Sequence, residues 1–330
     1  MDLKLPLDKI MRSKSAIDES SLPNSVLNRE QADRFIDLVI NESVLLSNVR
    51  TVRTDRNKGE INKLDLGSIV TEGAHSTASA TTRVPTESVV TYDCEKYRSA
   101  FDLKTDFMED NLERAGIRDT LLNMFSKRIA IDTELAAIEG DDSKAVGDAE
   151  TAENNLLGVN DGWAKILSDN VPAAQVLDAG DKAPSKKLYY DMKRKIPSRY
   201  RAAKPDYVWL TPSGAHDKWM LDWSDRSTIG GDSVLSKGLT PGPWGIPSLE
   251  VPLMPEDGTE GAANDSFEIW LTPLNNLLYF VQRDITIEFD RQPRADVWEV
   301  TIHFRVDFEV ENPDMVIRAH DLSLSQTDYS

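Results

Sequence analysis

The sequence predicts an α+β fold, and three stretches of the chain carry that prediction. From Trp298 to Val310 every second residue is apolar, which is the period of a β-strand with one buried face. From Ile117 to Glu139 apolar residues recur at steps of three and four, which indicates a helix with an apolar stripe. Residues 163–267 instead alternate short helical and strand patterns, which is typical of a mixed α/β module.

The strand predicted at 297–310 is unusually long. Strands commonly have about 3–10 residues, whereas this pattern holds for about fourteen, or roughly 45 Å at about 3.3 Å per residue. Residues 285–290 alternate in the same way, and the link Arg291–Asp296 is a turn, so the two strands are predicted to form an antiparallel hairpin. Its apolar face needs a cover of similar length. The helix at 117–139, about 34 Å long at about 1.5 Å per residue, is the predicted cover.

Composition and charge limit the possible functions. The 330 residues are 40% hydrophobic, which is enough for a core, and the formal net charge of −18 argues against sequence-specific nucleic-acid binding. No run of about eighteen apolar residues occurs, and the first residues lack the apolar block of a secretory signal, so we expect synthesis in the cytosol and no membrane span. The single cysteine, Cys94, excludes an internal disulfide, and no Cys/His spacing indicates structural zinc.

The first 88 residues contain little that could form a core. Scattered charges, two prolines and several serines at 1–28 predict an extended arm that becomes ordered against another surface. Apolar residues at helical spacing predict a helix over 29–49. Residues 50–88 are rich in Thr, Ser, Gly and charge, with strand candidates at 51–53 and 61–66, and we interpret them as a protruding β-loop.

The remaining elements are predicted one by one. Residues 89–103 have the composition of a strand, and 141–162, which are acidic and poor in core residues, are predicted to be a surface loop. Ser185 and Ser213 are candidate N-caps of helices over 186–195 and 214–224. We expect Met220 and Trp223 to face inward. The other strand candidates are 207–210, 248–253 and 314–322.

Motifs for catalysis and phosphate binding are absent from the sequence. It contains no G-x-S-x-G, no Walker loop, no G-x-G-x-x-G after a strand, no H-E-x-x-H and no EF-hand spacing. His216 with Asp217 and Asp222 is the best acid/base or metal candidate, although a packed or solvated histidine is the preferred interpretation.

Two weaker candidates come from charged residues. Glu139, Asp141 and Asp142 could bind a divalent cation, with a solvated acidic turn as the preferred interpretation. Lys58 and Lys63 could act as cross-linking nucleophiles, with charged residues on an exposed loop as the preferred interpretation. The other three histidines have no companion ligand at useful spacing: His75, His303 and His320. Four tryptophans are predicted to be core and interface aromatics rather than a ligand cage: Trp209, Trp219, Trp223 and Trp244.

The order of these parts resembles the major capsid proteins of tailed bacteriophages, which have the Hong Kong 97-like fold. The similarity covers nearly the whole chain and is carried by Phe107-Met108-Glu109-Asp110 before the long helix, by Trp244-Gly245-Ile246-Pro247 before a strand, and by the stretch 277–314. It implies an N-terminal arm, an extended E-loop, a P-domain with a long spine helix on long antiparallel strands, and an α/β A-domain.

The resemblance also implies a division of the chain. The six segments are an N-terminal arm and helix at 1–49, the E-loop at 50–88, the P-domain strand and spine helix at 89–140, the A-domain at 141–270, the long P-domain strands at 271–313, and a C-terminal segment at 314–330 that returns to the A-domain.

The function implied by the resemblance is structural, with no enzymatic activity, catalytic residue, metal or cofactor. Copies would form hexamers and pentamers and close, through a procapsid, into an icosahedral shell around the double-stranded DNA of a tailed phage. Assembly would occur in the host bacterial cytoplasm and the protein would end in the virion. The region before the arm is too short for a fused scaffold, so a separate scaffolding protein or a protease-independent route is implied. A portal is also expected. Non-specific contact with packaged DNA is expected, and no membrane.

Contacts between subunits are expected on the E-loop. The candidate residues are Arg53, Asp55, Arg56, Lys58, Glu60, Lys63, Glu72, His75 and Arg83. Two alternatives remain open at this point. One is an encapsulin-type nanocompartment shell with enzyme cargo, and the other is an α+β enzyme with a site around His216. The sequence has no residue-by-residue match to the family's Lys/Asn/Glu cross-linking trio, so that chemistry is not carried over.

Overall fold

A computed structural model describes residues 25–26, 39–40, 43–65, 85–104, 117–147, 150–203, 206–224, 242–255, 266–282 and 286–324. The arm predicted at 1–28 therefore lies outside the described residues, apart from 25–26. Most of the helix predicted at 29–49 also lies outside them; within it, 39–40 are helical and 44–48 form turns. In these ranges no helix is long and apolar enough to cross a membrane.

The described ranges contain thirteen strands. They are β1 (Ser25–Val26), β2 (Arg50–Thr54), β3 (Lys58–Asp65), β4 (Thr86–Asp93), β5 (Glu95–Lys104), β6 (Val176–Lys182), β7 (Tyr207–Thr211), β8 (Ser248–Glu250), β9 (Phe267–Pro273), β10 (Leu277–Gln282), β11 (Thr286–Gln292), β12 (Val297–Val310) and β13 (Ile317–Leu322).

The same ranges contain six α-helices. They are α1 (Ile117–Glu139), α2 (Ala152–Leu157), α3 (Trp163–Asn170), α4 (Lys186–Lys195), α5 (Ser198–Ala203) and α6 (Ser213–Ser224). The bounds of α1 and α4 are those predicted from the sequence. In α4 the Ser185 hydroxyl accepts a hydrogen bond from the Leu188 N–H at 3.4 Å, which is the predicted N-cap.

The long strand β12 organises the first sheet. It pairs antiparallel with β5 on one side, and with β11 and then β10 on the other. β1 extends the sheet beyond β11, and β2 pairs parallel with β10. The predicted hairpin is confirmed, with a turn at 293–296. The predicted alternation is also confirmed, because six apolar residues of β12 are buried: Val300, Ile302, Phe304, Val306, Phe308 and Val310.

Helix α1 covers the apolar face of this sheet, as predicted. The ring of Phe125 on α1 stacks on Phe101 of β5, with 4.0 Å between the ring centroids. Ile129 and Ile138 of α1 belong to the same buried cluster as the apolar residues of β12. Apolar side chains from elements far apart in sequence therefore form one core between the helix and the sheet.

The short helix α3 completes this cover, which the sequence did not predict. Trp163 packs edge-on against Phe308 of β12, and its indole N–H donates to the Glu309 carbonyl at 3.2 Å. The chain passes from α1 to α3 through a close backbone approach, in which the Gly162 N–H donates to the Gly140 carbonyl at 2.9 Å. A Cβ at Gly140 would lie 2.4 Å from a backbone oxygen, so this approach requires glycine.

Strands β3 and β4 form a two-stranded antiparallel ribbon, which we call the ribbon, over the opposite face of β10. Val90 of the ribbon packs with Leu278 and Phe280, and Tyr92 stacks on Phe280 with 4.6 Å between ring centroids. Since both faces are covered, all six residues of β10 are buried. Gly59 lies opposite Tyr92, and a Cβ there would meet that ring at 2.3 Å, so glycine leaves room for the tyrosine.

A second sheet of five strands has the order β6-β13-β9-β7-β8. The strand predicted near the C-terminus is β13, which pairs parallel with β6 and antiparallel with β9. The core of this sheet is aromatic, because Tyr189 of α4 lies edge-on to Trp209 at 5.0 Å and to Trp219 at 5.3 Å. The last described strand therefore belongs to the sheet that residues 176–273 build.

The prediction of a surface loop at 141–162 was wrong in part, because these residues contain helix α2. The Thr151 hydroxyl caps this helix by accepting from the Asn154 N–H at 3.1 Å. The helix is only six residues long and buries one side chain, Leu157, so the sequence carries too few apolar residues to show a helical period.

Helix α6 also differs from its prediction. Ser213 is its first residue, and its hydroxyl donates to the Glu250 carboxylate at 2.6 Å instead of capping the helix. Trp219 is the buried aromatic, whereas Met220 and Trp223 are only half-buried. The inward face is set by contact with the aromatic core of the second sheet, which the sequence of the helix alone does not reveal.

A buried glutamate on α1 holds the turn at 43–49. Glu134 is 2% exposed, and its carboxylate accepts hydrogen bonds from the Ser43 hydroxyl and from the Leu45 N–H at 3.3 Å. The Ser43 oxygen in turn accepts from the Leu46 N–H at 2.9 Å. Because these donors are buried, loss of the carboxylate would leave them without an acceptor.

We therefore expect Glu134→Ala to lower the free energy of unfolding by about 1–3 kcal/mol, measured by urea denaturation of unassembled protein. Glu134→Gln keeps an acceptor oxygen and should lose less. Glu153→Ala, which removes an exposed glutamate on α2, is the matched control and should change stability by less than about 1 kcal/mol. Equal losses at positions 134 and 153 would contradict the anchoring role.

Candidate functional site

The ribbon has an outward face that no described element covers. Its outward residues are all exposed: Glu60, Asn62, Leu64, Glu87, Val89 and Thr91. Leu64 is 71% exposed and Val89 is 49% exposed. An isolated two-stranded ribbon is only marginally stable, and this one carries large apolar side chains on its free face. This face is therefore a candidate contact surface.

Six of the nine predicted contact residues lie on β2, on β3 or in the turn that joins these two strands. Arg53 is on β2, Asp55 and Arg56 are exposed in the turn before β3, and Lys58, Glu60 and Lys63 are on β3. The other three, Glu72, His75 and Arg83, lie outside the described residues.

Both lysines of the ribbon are tethered. Lys58 forms an ion pair with Asp93, and this hydrogen bond raises the pKa of Lys58, which makes the neutral amine scarcer. Lys63 donates to the backbone carbonyl of Glu311. These contacts favour the interpretation of charged residues that hold the ribbon over that of cross-linking nucleophiles.

Polar contacts also tie the base of the ribbon to the first sheet. The Arg305 guanidinium on β12 donates to the side-chain oxygens of Asn57 and Gln282, each at 3.1 Å. Arg50 of β2 forms an ion pair with Glu311 at 3.0 Å. The ribbon is thus attached at its base by both apolar packing and hydrogen bonds, while none of the elements described above covers its outer face.

A cleft of about 1000 Å³ lies beside the ribbon, along α3 and the end of β12. We call it the acidic cleft, because seven carboxylates line it against two basic side chains, Arg56 and Lys58. The carboxylates are Glu60, Asp93, Glu95, Asp142, Asp161, Asp307 and Glu309. Like charges that share one cleft raise the free energy of the ionised state.

Two carboxyl groups of the cleft have strongly raised pKa values. Burial raises the pKa of Asp307 to about 6, even though its carboxylate accepts from the N–H groups of Asp93 at 2.7 Å and Phe308 at 2.9 Å. Burial, followed by the charge of Asp307, raises the pKa of Glu309 to about 7. Asp307 and Glu309 are therefore carboxyl groups in a part of the cleft where water stabilises their ionised forms poorly.

Asp307 and Glu309 alternate with the apolar residues of β12, so the sequence pattern predicts that both lie on the face of the strand that contacts water. For Asp307 this prediction was wrong, since the residue is 8% exposed. The physical reason is that the junction between β4 and β5 lies over this face and its Asp93 N–H binds the carboxylate. Alternation within one strand shows which residues share a face, but it does not show that a distant segment covers that face.

The predicted constellation around His216 is not assembled. Asp222 pairs with Lys218 at 3.1 Å, Asp217 is exposed and His216 is half-buried. Within the described part of the chain, no ion pair joins His216 to either acid. Helix α6 instead uses an i,i+4 ion pair of the kind common on exposed helices.

The predicted acidic turn is present with a different third member. Oxygen atoms of Asp141, Asp142 and Asp161 lie within 4.8 Å of one another, whereas Glu139 is not part of this group. Asp141 accepts from Ser143, and Asp161 accepts from the Asp142 N–H at 2.9 Å. These donors account for the cluster as a hydrogen-bonded turn.

His320 was predicted to lack companions but has two acidic neighbours. Its Nδ1 lies 3.0 Å from Asp321, and Asp178 completes the group. The strand pairing of β13 with β6 brings Asp178 to His320, and sequence spacing gives no sign of that pairing.

The four tryptophans divide between the core, as predicted for part of them, and the surface. Trp209 and Trp219 are buried and Trp223 packs at the edge of the same cluster. Trp244 is 49% exposed, and its ring lies 5.2 Å from that of Tyr190, which is 42% exposed.

Comparison with known proteins gives a consistent result. No protein-family model matches the chain. The "Putative prophage capsid protein YqbE" of Bacillus subtilis (strain 168) is 24% identical over 319 residues, which cover 93% of this chain and 98% of that protein. A chain of the satellite phage P4 procapsid, whose structure includes the size determination (Sid) protein, matches with a TM-score of 0.68 and 16% identity. That match covers 99% of this chain and 100% of the P4 procapsid chain.

The chain has the fold of a phage capsid protein. The capsid of an empty GTA particle matches with a TM-score of 0.58 and 13% identity, covering 98% of this chain and 100% of that one. The SrpI encapsulin of Synechococcus elongatus PCC 7942 matches more weakly, with a TM-score of 0.50 and 10% identity, covering 100% of this chain and 99% of that one. The resemblance to phage capsid proteins inferred from the sequence is confirmed.

The raised pKa values of two carboxyl groups in the acidic cleft predict that the stability of the protein depends on pH. Asp307 and Glu309 bind protons more tightly when folded than when unfolded, so their contribution to stability is largest below about pH 4 and falls as the pH rises towards about 7.

We expect Glu309→Gln to raise the free energy of unfolding of the unassembled protein at pH 8, by up to about 3 kcal/mol, and to change it little at pH 4. Urea denaturation across this range measures the difference. Asp142→Asn removes an exposed carboxylate of the same cleft and serves as the control, with a smaller and less pH-dependent effect. A constant difference between Glu309→Gln and wild type at all pH values would contradict this account.

Proposed function

We propose that the chain is the major capsid protein of a tailed bacteriophage, and that it self-assembles into the icosahedral shell enclosing a double-stranded DNA genome. The observation that carries this proposal is the whole-chain match to a procapsid chain, together with a capsid-protein relative of similar length. We propose a structural role without enzymatic activity.

We assign the parts of the Hong Kong 97-like fold as follows. The ribbon and the residues between its strands are the E-loop, and the N-terminal segment at 1–49 is the arm. The helix α1 on β5, β11 and β12 is the P-domain, and the second sheet with α4 and α6 is the A-domain. The chain connectivity supports this assignment, because the ribbon lies between β2 and β5, and four strands of the second sheet, β6 to β9, lie between α3 and β10, while β13 joins that sheet after β12.

The surface of the subunit supports assembly with copies of itself. Leu64 and Val89 are exposed on the ribbon, and Met124 and Ile131 are 60% and 43% exposed on α1. No element of the described residues covers these large apolar side chains, and a partner surface would remove them from water. In a closed symmetric shell each copy supplies the partner surface for the next, and many weak contacts add up to a stable wall.

The partners and location follow from this role. We propose hexamers and pentamers of the chain, a separate scaffolding protein, a portal, and non-specific contact with packaged DNA. Assembly would take place in the host cytoplasm and the product would be part of the virion. The net charge of −18 supports weak contact with the genome, because like charges keep the duplex from adhering to the wall.

The alternatives have less support. An encapsulin-type shell shares the fold, but the match to the encapsulin has a TM-score of 0.50 against 0.68 for the P4 procapsid. The enzyme alternative rested on His216, Asp217 and Asp222, and the pairing of Asp222 with Lys218 weakens it.

Electron microscopy of the purified protein, alone and with the candidate scaffolding protein, tests the proposal. Closed shells or ring-shaped capsomers are the expected result. A protein that stays a compact monomer at high concentration and with the scaffold would overturn the proposal, and shells filled with a specific enzyme cargo would favour the nanocompartment.

A shortened ribbon tests the role of the E-loop. Asp65 pairs with Thr86, so replacing residues 66–85 by Asn-Gly should close the ribbon with a two-residue turn and leave its packing on β10 intact. We expect a folded subunit, with unchanged circular dichroism, that does not form closed shells. A Gly/Ser segment of the original length is the control that separates loop length from loop sequence. Closed shells from the shortened chain would contradict the assigned role.

A further inference from the structure

Basic residues are concentrated in one short segment of this acidic chain. Residues 182–201 contain eight of the 38 lysines and arginines and only one acidic residue, Asp191, which gives the segment a formal charge of +7. The rest of the chain therefore carries −25, the difference between −18 and +7. Such segregation of charge makes a local attractive surface on a molecule that is otherwise repelled by its copies.

Helix α4 and the following α5 present this charge at the surface. The exposed basic residues are Lys186, Lys187, Arg194, Arg199 and Arg201. Two of the basic groups contact a carbonyl or a ring: Lys193 donates to the Trp244 carbonyl at 2.9 Å, and Arg194 lies 5.7 Å from the centre of the Tyr190 ring.

Helix stability explains only part of this pattern. Lys193, Arg194 and Lys195 lie in the last turn of α4, where cations interact favourably with the helix dipole. Lys186 and Lys187 lie in the first turn, where the same dipole disfavours cations. Positive charge at both ends of one helix therefore points to a requirement outside the helix.

Exposed aromatic rings accompany the charge. Tyr190 and Trp244 lie 5.2 Å apart, and the Trp244 indole N–H donates to the Lys186 carbonyl at 3.0 Å, so the ring is fixed beside the first turn of α4. Tyrosine, tryptophan and arginine are the residues most enriched at the energetic centres of protein interfaces. We call the group of Lys186, Lys187, Tyr190, Arg194 and Trp244 the basic surface.

The acidic cleft is the complementary feature of the same chain. Its seven carboxylates face two basic groups, and Asp307 is buried there with its carboxylate bound by the Asp93 N–H. None of the residues that line the cleft comes from α4, which packs on β13 of the second sheet. The basic surface therefore does not line the cleft of its own copy.

We propose that the basic surface of one copy contacts the acidic cleft of a neighbouring copy when the shell assembles. This inference rests on the proposed function. A heterologous contact between identical chains requires two different and complementary patches on each chain, and these two patches meet that requirement. The neighbour's cations would compensate the desolvated carboxylates, and the contact would speed association between chains that repel each other at long range.

A double charge reversal tests the contact. Lys186→Glu with Arg194→Glu changes two exposed residues of the basic surface, and one substitution favours the helix dipole while the other opposes it, so the subunit should fold normally. We expect shell assembly, followed by light scattering and electron microscopy, to slow by at least about tenfold near physiological salt. The matched control is Lys96→Glu with Arg98→Glu, which makes the same change of charge on exposed residues of β5.

A compensating reversal in the same chain makes the test specific. Glu60→Lys with Asp142→Lys reverses two exposed residues of the acidic cleft and should also slow assembly. Combining all four substitutions should restore assembly towards the wild-type rate. In about 1 M salt, where the Debye length is about 3 Å, the difference between each double variant and wild type should shrink.

The outcomes separate this inference from the proposed function. Wild-type shells together with reversal variants that assemble at the wild-type rate would overturn the contact and leave the capsid role standing. Slow assembly of both double variants without rescue in the combined variant would also overturn it. If the reversal of the basic surface instead abolishes binding of a DNA duplex and leaves assembly unchanged, the basic surface binds DNA phosphates. The proposed contact between copies would then be wrong. Absence of shells from the wild type would contradict the capsid role itself.

Discussion

Burial of the apolar face of β12 is the interaction on which the rest of the structure depends. A strand of fourteen residues with every second side chain apolar must be paired on both edges and covered along its length. β5, β11 and β10 provide the pairing, and α1 and α3 provide the cover. β10 and β11 directly precede β12, whereas β5, α1 and α3 lie more than 100 residues before it, so the core forms only when segments distant in sequence meet.

The ribbon is held by the face of the first sheet that lies opposite the main core. Leu278 and Phe280 of β10 point away from the main core and become buried beneath the ribbon. The same packing brings the β4–β5 junction over Asp307, where one backbone N–H binds the carboxylate. An apolar contact thus positions a polar one, and the ribbon is held at its base while its outer face is covered by none of the described elements.

The charge distribution affects how copies of the chain repel and attract each other in the proposed assembly. A net charge of −18 keeps copies apart at long range, whereas the segregated +7 segment and the acidic cleft allow attraction at close range. Contacts of this kind affect association rates and respond to salt more than they raise affinity. Weak individual contacts also suit a shell, because subunits must be able to dissociate from incorrect positions before closure.

The sequence by itself determined the local elements: the two-residue period of β12, the bounds of α1 at Ile117 and Glu139, and the Ser185 cap of α4. These elements depend on residues a few positions apart. The order of such elements along the chain, which resembles that of a capsid protein, could also be inferred from the sequence. Only the tertiary structure decided that α3 joins the cover, that Ser43 binds Glu134, and that Asp307 is buried beside Asp93. The acidic cleft, which no residue of α4 lines, belongs to this second group. The physical reason is that burial and charge compensation depend on which distant segments pack together, and a local pattern contains no information about its partner.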